Sequence, residues 1–239
     1  MKNSEFKCGL RDGIPIALGY FAVSFGFGIV AVKAGINVVQ SVLTSLFNMT
    51  SAGQFAGIGI IAAGGTLLEM ALTQFIINLR YALMSLSLSQ KLDKSVTLWK
   101  RLVIAFANTD EIFAVAMNHN KDLTMSYMIG LQILPIIGWT GGTAVGAVAN
   151  HILPSSVCTA FGVALYGMFV AIVIPKARKS KAVAIVAFVA LALSCALYYI
   201  PALRKISTGI AVIICTVAAA VIGAVFFPIT EKEEGEEDK

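Results

Sequence analysis

Eight long apolar segments occupy most of this chain and constrain its fold more than any other feature of the sequence. They lie at about residues 13–33, 38–64, 66–89, 98–117, 124–150, 158–174, 181–200 and 206–228. An α-helix needs ~20 apolar residues to cross the ~30 Å hydrocarbon core of a bilayer. Of the 239 residues, 58% are hydrophobic and 13% are charged, a far more apolar composition than that of a soluble domain. The sequence therefore predicts an all-α, polytopic integral membrane helical bundle.

Basic residues predict how these segments cross the membrane. They cluster at the N-terminus, after the third segment and after the sixth. Because basic loops favour the cytoplasm, all three clusters are expected on the cytoplasmic side, together with the N-terminus. Three segments separate each pair of clusters, whereas an even number of crossings is required. One segment in each interval is therefore expected to be interrupted or re-entrant, which leaves about 6–8 transmembrane segments.

Two places in the sequence favour such interruptions. Residues 48–54 read Asn-Met-Thr-Ser-Ala-Gly-Gln, which are residue types that favour turns and helix caps. In the second interval, Asn108–Glu111 competes with Pro135 and the glycines that follow it. Each half of the chain then holds three segments, of which one is interrupted. This arrangement suggests an inverted repeat.

The last nine residues differ from the rest of the chain in charge. Residues 231–239 contain six of the thirteen acidic residues and are expected to form a disordered, solvated acidic tail. Residues 1–230 are expected to form a single transmembrane permease domain. Their basic residues form no patch interleaved with aromatics, so a nucleic-acid partner is not expected.

A few charged residues lie inside the apolar segments, and these are the candidates for function. They are Glu69 and Arg80 in the third segment, and Asp110 and Glu111 in the fourth. A charge at the centre of a membrane helix costs at least ~2.5–3.5 kcal/mol, so such residues usually mark a pathway or a binding site. Glu69 and Arg80 lie ~16 Å apart along a straight helix, too far to pair, so each is expected to have a partner elsewhere.

Each candidate also has a structural interpretation. Glu69 can lie near a membrane boundary, and Arg80 can extend its side chain to the interface or bind carbonyl groups. Asp110 and Glu111 can cap a new helix and complement its dipole. The stretch Ser51–Gln54 can form a half-helix N-terminus that binds a carboxylate, or a face of small residues for close helix packing.

Other residue types form no recognisable chemical site. The four cysteines lack CxxC spacing and the two histidines are isolated, so no metal or other cofactor is expected. No metalloprotease, serine hydrolase or nucleotide-binding motif occurs, so the chain is not predicted to be an enzyme. Trp99 and Trp139 are expected to be interface anchors or packing residues.

Five short motifs occur together in an order typical of one protein family. They are Gly13-Ile14-Pro15, Phe25-Gly26-Phe27-Gly28, Ser51-Ala52-Gly53-Gln54-Phe55, Asn78-Leu79-Arg80-Tyr81 and Thr109-Asp110-Glu111. In this combination the chain resembles AzlC-like (YgaZ-type) proteins, the large subunits of branched-chain amino acid exporters. The resemblance implies an export permease in a prokaryotic cytoplasmic membrane, together with a small hydrophobic AzlD-like membrane subunit.

The resemblance and the charged residues together predict a secondary transporter for a small apolar amino acid. The candidate substrate-binding residues are Asp110, Glu111, Arg80, Asn78, Ser51, Gly53 and Gln54. The two carboxylates are candidates for the ammonium group, whereas Arg80 and the Ser51–Gln54 backbone are candidates for the carboxylate. Glu111 or Asp110 is expected to carry a coupling proton. A passive channel, a partner-dependent structural subunit and a membrane enzyme are the alternatives.

Overall fold

A computed structural model describes residues 2–201, 203 and 205–228 of the chain, and this part is almost entirely α-helical. Its helices are α1 (Lys2–Lys33), α2 (Val38–Phe47), α3 (Ala52–Ala62), α4 (Leu67–Lys91), α5 (Leu98–Ala105), α6 (Asp110–Met117), α7 (Met125–Ala149), α8 (Ser155–Lys179), α9 (Lys181–Tyr199) and α10 (Thr208–Phe226). Within the described ranges the only extended pairing is an isolated bridge between Leu92 and Leu123. The predicted acidic tail, residues 231–239, lies outside the described residues.

The helix lengths confirm a polytopic membrane protein with interrupted helices. By length and composition, α1, α7, α9 and α10 can each cross a membrane. Helices α4 and α8 have 25 residues each, and at ~1.5 Å per residue they also exceed the ~30 Å of hydrocarbon. Helices α2, α3, α5 and α6 have only 8–11 residues. They are the halves of two broken segments.

The chain divides into two compact units. The first contains Met1–Ile58 and Ile77–Tyr166, and the second contains Gly59–Ile76 and Gly167–Lys239. The divisions fall within α3, α4 and α8. All seven candidate substrate-binding residues belong to the first unit, whereas Glu69 belongs to the second.

The first unit is built on α1 and α7, which pack closely along their whole lengths. A Cβ atom added at Gly130 would collide with the backbone at Phe6, and one added at Gly146 would collide with the backbone at Phe25. Residues later in α7 contact residues later in α1, so the two helices run parallel. Small residues at the crossing allow this close approach, as is common between membrane helices.

Helix α7 continues through Pro135 without a break. The alternative prediction, that Pro135 and the following glycines interrupt this segment, is therefore wrong. Proline removes one backbone hydrogen bond, a loss that membrane helices tolerate when neighbouring elements surround them. The glycines after Pro135 serve the contact with α1, because Gly138 and Gly142 also leave no room for a Cβ atom beside that helix.

Helices α2 and α3 form a hairpin that enters the unit from the end where α1 terminates. The helical structure is interrupted at residues 48–51, between the two helices. After the break, Ile58 of α3 packs with Phe27 of α1 and with Ile36, which lies in the turn between α1 and α2. Helix α3 thus returns to the level at which α2 began. The predicted interruption of the second segment is confirmed.

Helices α5 and α6 form a second hairpin, which enters from the opposite end. The helical structure is interrupted at residues 106–109, between α5 and α6. At the end of α6, the carbonyl of Met117 accepts a hydrogen bond from Lys91 Nζ at the end of α4. Nearby, Thr124 Oγ1 donates to Glu5 Oε2 at the start of α1, at 2.6 Å. Each eight-residue arm spans only ~12 Å, so the hairpin ends in the interior of the unit.

In the second unit, Glu69 stabilises the start of α10. Its Oε1 atom accepts a hydrogen bond from the backbone N–H of Gly209 at 2.8 Å, and its carboxyl group is buried. A carboxylate at a helix N-terminus is favoured by the helix dipole. Because Glu69 lies too far from Arg80 to pair with it, a separate partner was expected. That partner is the N-terminus of α10.

The α1–α7 contact predicts opposite effects for two glycines of α7. Gly146→Ala places a methyl group against the α1 backbone and should lower the unfolding free energy by ~1–3 kcal/mol. Gly141 has open space around its Cα atom, so Gly141→Ala should be neutral or stabilising by up to ~1 kcal/mol. Thermal unfolding in detergent measures both effects. Equal melting temperatures for the two variants would contradict the packing described above.

Candidate functional site

The tip of the second hairpin carries an ion pair between two helices. Asp110 is the first residue of α6, and its Oδ2 atom lies 2.5 Å from Nη1 of Arg80 on α4. The Arg80 guanidinium also donates to Tyr81 Oη at 3.1 Å and lies over the Tyr81 ring. About half of each charged side chain is exposed, 48% for Arg80 and 45% for Asp110. Because hydrocarbon does not solvate charges, this pair must face water, a ligand or protein.

Glu111 is held at the same tip by a phenol from α1. The hydroxyl of Tyr20 lies 2.5 Å from Glu111 Oε2 and 2.5 Å from Thr109 Oγ1. A phenol has a single proton. Tyr20 therefore donates to the carboxylate, and Thr109 donates to the phenol oxygen. Glu111 is thus paired with a neutral partner, whereas Asp110 is paired with a cation.

An unpaired acceptor lies immediately before these residues. Asn108 is buried, and its Nδ2 atom donates to Ser85 Oγ at 3.0 Å. Its Oδ1 atom has no hydrogen-bond partner among the described residues. An unsatisfied buried polar atom costs ~1–3 kcal/mol. The tip therefore presents an acceptor that a ligand with N–H groups can satisfy.

The tip of the first hairpin is a strained turn. Ser51 has a φ of +44°, a left-handed conformation that costs a residue other than glycine of the order of 1–3 kcal/mol. Its Oγ atom is buried without a hydrogen-bond partner in the described part of the chain. Helix α3 starts at the next residue, as the prediction of a half-helix N-terminus requires. The N–H of Gly53 donates to Thr50 O within the turn.

Gln54 points into the interior of the first unit and joins three helices. Only 1% of it is exposed. Its Nε2 atom donates to Ser45 Oγ on α2 at 2.9 Å, and its Oε1 atom accepts from Trp139 Nε1 on α7 at 2.8 Å. The Ser45 hydroxyl is also hydrogen-bonded to Thr143 of α7 at 2.6 Å. Gln54 therefore anchors the first hairpin to the α1–α7 pair.

Two aromatic residues connect the hairpin tips. The rings of Trp139 and Tyr20 meet edge to face, with centroids 5.2 Å apart. Contacts thus run without a gap from Gln54 through Trp139 and Tyr20 to Glu111. Trp139 is 3% exposed and Tyr20 is 8% exposed. The structure brings the two predicted interruptions together through Tyr20, which the sequence did not single out, and through Trp139, for which the sequence predicts only an anchoring or packing role.

Of the two roles that the sequence offers for its tryptophans, Trp139 takes the packing role. It is a buried residue and not an interface anchor, whereas Trp99 is 78% exposed. A buried indole needs an acceptor for its N–H. That requirement is the one signal in the sequence that could have linked Trp139 to Gln54. Tyr20 has no comparable signal, because a lone tyrosine in an apolar span is ordinary.

Asn78 does not join the ion pair. It is partly buried on α4, two residues before Arg80. Residues two positions apart do not share a face of a helix. Of the seven candidate residues, Arg80 and Asp110 pair directly, Glu111 lies beside them, and Gln54 connects through Trp139 and Tyr20.

The region that holds both hairpins matches a known family model. Residues 15–153 match the model described as AzlC protein, and this interval includes Tyr20, Gln54, Arg80, Glu111 and Trp139. The chain belongs to the AzlC family. Helices α8, α9 and α10 lie outside the matched interval.

Similar proteins in other organisms are named as membrane proteins. An uncharacterized membrane protein of Archaeoglobus fulgidus is 31% identical over 179 residues, covering 74% of this chain and 78% of the relative. Inner membrane protein YgaZ of Escherichia coli is 28% identical over 192 residues, covering 77% and 78%. An uncharacterized membrane protein of Helicobacter pylori is 27% identical over 155 residues, covering 62% and 67%. No solved structure matches the chain. These relatives and the apolar helices identify the AzlC-family chain as a membrane protein.

The network around Gln54 predicts a large difference between two glutamines. Gln54→Ala removes two buried hydrogen bonds and leaves the Trp139 N–H unpaired, so the unfolding free energy should fall by ~1–3 kcal/mol. Gln90→Ala changes an exposed residue at the end of α4 and should stay within ~0.5 kcal/mol of the parent. Chemical denaturation in detergent compares the two variants. Similar losses of stability would show that the Gln54 network contributes nothing specific.

Proposed function

We propose that this AzlC-family protein is a secondary transporter that exports branched-chain or similar apolar amino acids from the cytoplasm. The main support is the convergence of two broken helices that enter the first unit from opposite ends. Secondary transporters commonly bind their substrates near the bilayer midplane, between discontinuous helices whose ends meet the ligand. The family assignment and the membrane relatives support the same class of function.

The groups at the two tips suit the two charges of an amino acid. The ammonium group is assigned to Asp110 and Glu111, with Asn108 Oδ1 as a neutral acceptor. The carboxylate is assigned to Arg80 and to the start of α3 at Ser51. A zwitterion bound in this way separates Arg80 from Asp110 and gives each a new partner of opposite charge. Exchange of one ion pair for two keeps every charge compensated during transport.

Export against a gradient needs an energy source, and we assign proton coupling to Glu111. The titratable groups near it are Tyr20 from α1, Tyr81 from α4 and the adjacent Asp110. Asp110 is already ion-paired with Arg80, so a proton on it would leave the Arg80 charge without its partner. Among the described residues Glu111 accepts from a phenol and forms no ion pair, so a proton on its carboxylate would leave no cation without a partner.

The cellular setting of the proposal is a prokaryotic cytoplasmic membrane with a cytoplasmic N-terminus. The start of α1 and the end of α4 lie at the same end of the first unit, and both carry basic residues, Lys7 and Lys91 among them. Basic residues at a common end agree with cytoplasmic loops. A small hydrophobic AzlD-like subunit is proposed as the partner.

Transport by purified protein in proteoliposomes tests the proposal. Labelled leucine, isoleucine, valine and methionine are supplied to vesicles that contain this chain alone or together with an AzlD-like subunit. An imposed pH gradient should drive accumulation above the equilibrium concentration. Glu111→Gln should abolish the response to the gradient, whereas Asp12→Asn, at a carboxylate that accepts from Tyr127 Oη on the same two long helices, should retain it.

Each alternative function has its own result in this experiment. Flux that never exceeds equilibrium indicates a passive channel and contradicts secondary transport. Flux that requires the second subunit indicates an incomplete site in this chain. A complete absence of flux in both preparations contradicts the proposed function.

The assignment of Arg80 to the substrate carboxylate predicts a selective loss of affinity. Arg80→Ala should raise the KM for leucine by ~10–100-fold, since hydrogen bonds to charged groups contribute ~1.5–3 kcal/mol each. Leucinamide lacks the carboxylate, so its KM should change much less. Arg80→Lys keeps the charge but loses the planar guanidinium. Its KM for leucine should lie between those of the parent and Arg80→Ala. Equal losses for leucine and leucinamide would place Arg80 outside the carboxylate site.

A further inference from the structure

Tyr20 and Trp139 occupy a position that the proposed substrate site does not use. They lie on α1 and α7, the two long helices that continue past both hairpin tips. Neither side chain is assigned to the ligand. Each is hydrogen-bonded to one of the two hairpin tips, and they contact each other through their rings. The contact between their rings joins the hydrogen bonds at the second hairpin tip to those at the first.

On the side of the second hairpin, the contact depends on the state of Glu111. The Tyr20 hydroxyl donates its single hydrogen bond to the Glu111 carboxylate and accepts a hydrogen bond from the Thr109 hydroxyl. If Glu111 gains a proton or binds a ligand ammonium, its oxygen no longer accepts from Tyr20 in the same way. A phenol that reorients in response would change its ring contact with Trp139.

On the side of the first hairpin, the directions of both Gln54 hydrogen bonds are determined. An indole N–H can only donate, so the atom of Gln54 that faces Trp139 must be its carbonyl oxygen. The amide nitrogen of Gln54 then faces Ser45. A flipped amide would place two donors against each other. If the Trp139 ring moves, the Gln54 carbonyl oxygen loses its donor. Gln54 lies in the first turn of α3, so the loss falls at the tip of the first hairpin.

From these contacts, and resting on the proposed function, we propose that Tyr20 and Trp139 are positioning residues that transmit the occupancy of Glu111 on one hairpin to Gln54 on the other. The two hairpins enter from opposite ends, so the two tips belong to the two halves of the transport route. A linkage between the tips allows a change at one to alter the packing of the other, which alternating access requires.

A cysteine reporter at the first hairpin tests this linkage without any measurement of transport. The reporter is Ser51→Cys, in a chain whose four native cysteines are replaced by alanine. A membrane-impermeant methanethiosulfonate reagent modifies it in proteoliposomes, and the rate is measured with and without changes at the second hairpin. The native cysteines are Cys8, Cys158, Cys195 and Cys215.

Changes at the distant tip should alter the rate at the reporter. Tyr20→Phe and Glu111→Gln should each change the modification rate by about fivefold or more, the lower range of typical coupling between sites. Two matched variants serve as controls. Tyr127→Phe removes another phenol hydroxyl that donates to a carboxylate, that of Asp12, and Trp99→Phe changes the exposed tryptophan. Both controls should leave the rate within about twofold, well below that coupling.

A double-substitution cycle separates transmission from general loosening. In the Trp139→Phe background the link to Gln54 is already cut, so Glu111→Gln should have no further effect on the reporter. A second reporter, Val39→Cys at the exposed start of α2, should react at the same rate in every variant that is folded. If Tyr20→Phe fails to fold, Glu111→Gln keeps the side-chain shape and supplies the same comparison.

The outcomes distinguish this inference from the proposed function. Rates at Ser51→Cys that do not respond to either Tyr20→Phe or Glu111→Gln overturn the linkage, even if the protein exports leucine. Additive effects in the Trp139→Phe background also overturn it. A coupled response in a protein that transports none of the four amino acids supports the linkage and contradicts the function.

Discussion

A helix that breaks at membrane depth exposes backbone groups and polar side chains that hydrocarbon cannot satisfy. The first unit of this AzlC-family protein follows from that constraint. Its two broken helices are sheltered by α1 and α7, whose glycines allow the backbones to approach closely. The close pair leaves room on its surface for both hairpins. Without this contact the tips would face lipid, at a cost of several kcal/mol for each unsatisfied group.

The intramembrane charges obey the same constraint in three ways. Glu69 meets a helix end, Glu111 meets a phenol, and Asp110 meets Arg80. The first two carboxylates are matched with groups that carry no net charge. The third forms an ion pair whose members are half exposed. That difference is the reason why we propose the Arg80–Asp110 pair as the point of exchange with a zwitterionic ligand.

Much of the fold was predictable because helical membrane proteins reveal their spans through composition. Long apolar runs located the helices, and the odd number of segments between basic clusters required interruptions. Turn-forming residues located the first break. For the second, Asn108–Glu111 and Pro135 were competing candidates in the sequence. The structure decided between them because four successive polar residues cannot be hidden on one face of a helix, whereas a single proline in a well-packed helix is tolerated.

The sequence by itself determined the class of the protein, its helical segments and the residues that carry charge inside the membrane. It also showed that Glu69 and Arg80 are too far apart to pair. Only the tertiary structure decided which partners they take, and that Tyr20 and Trp139 join the two hairpin tips. The physical reason is that hydropathy and turn propensity act locally along the chain, whereas hydrogen-bond partners depend on which helices approach one another. That approach is set here by the α1–α7 glycine contact.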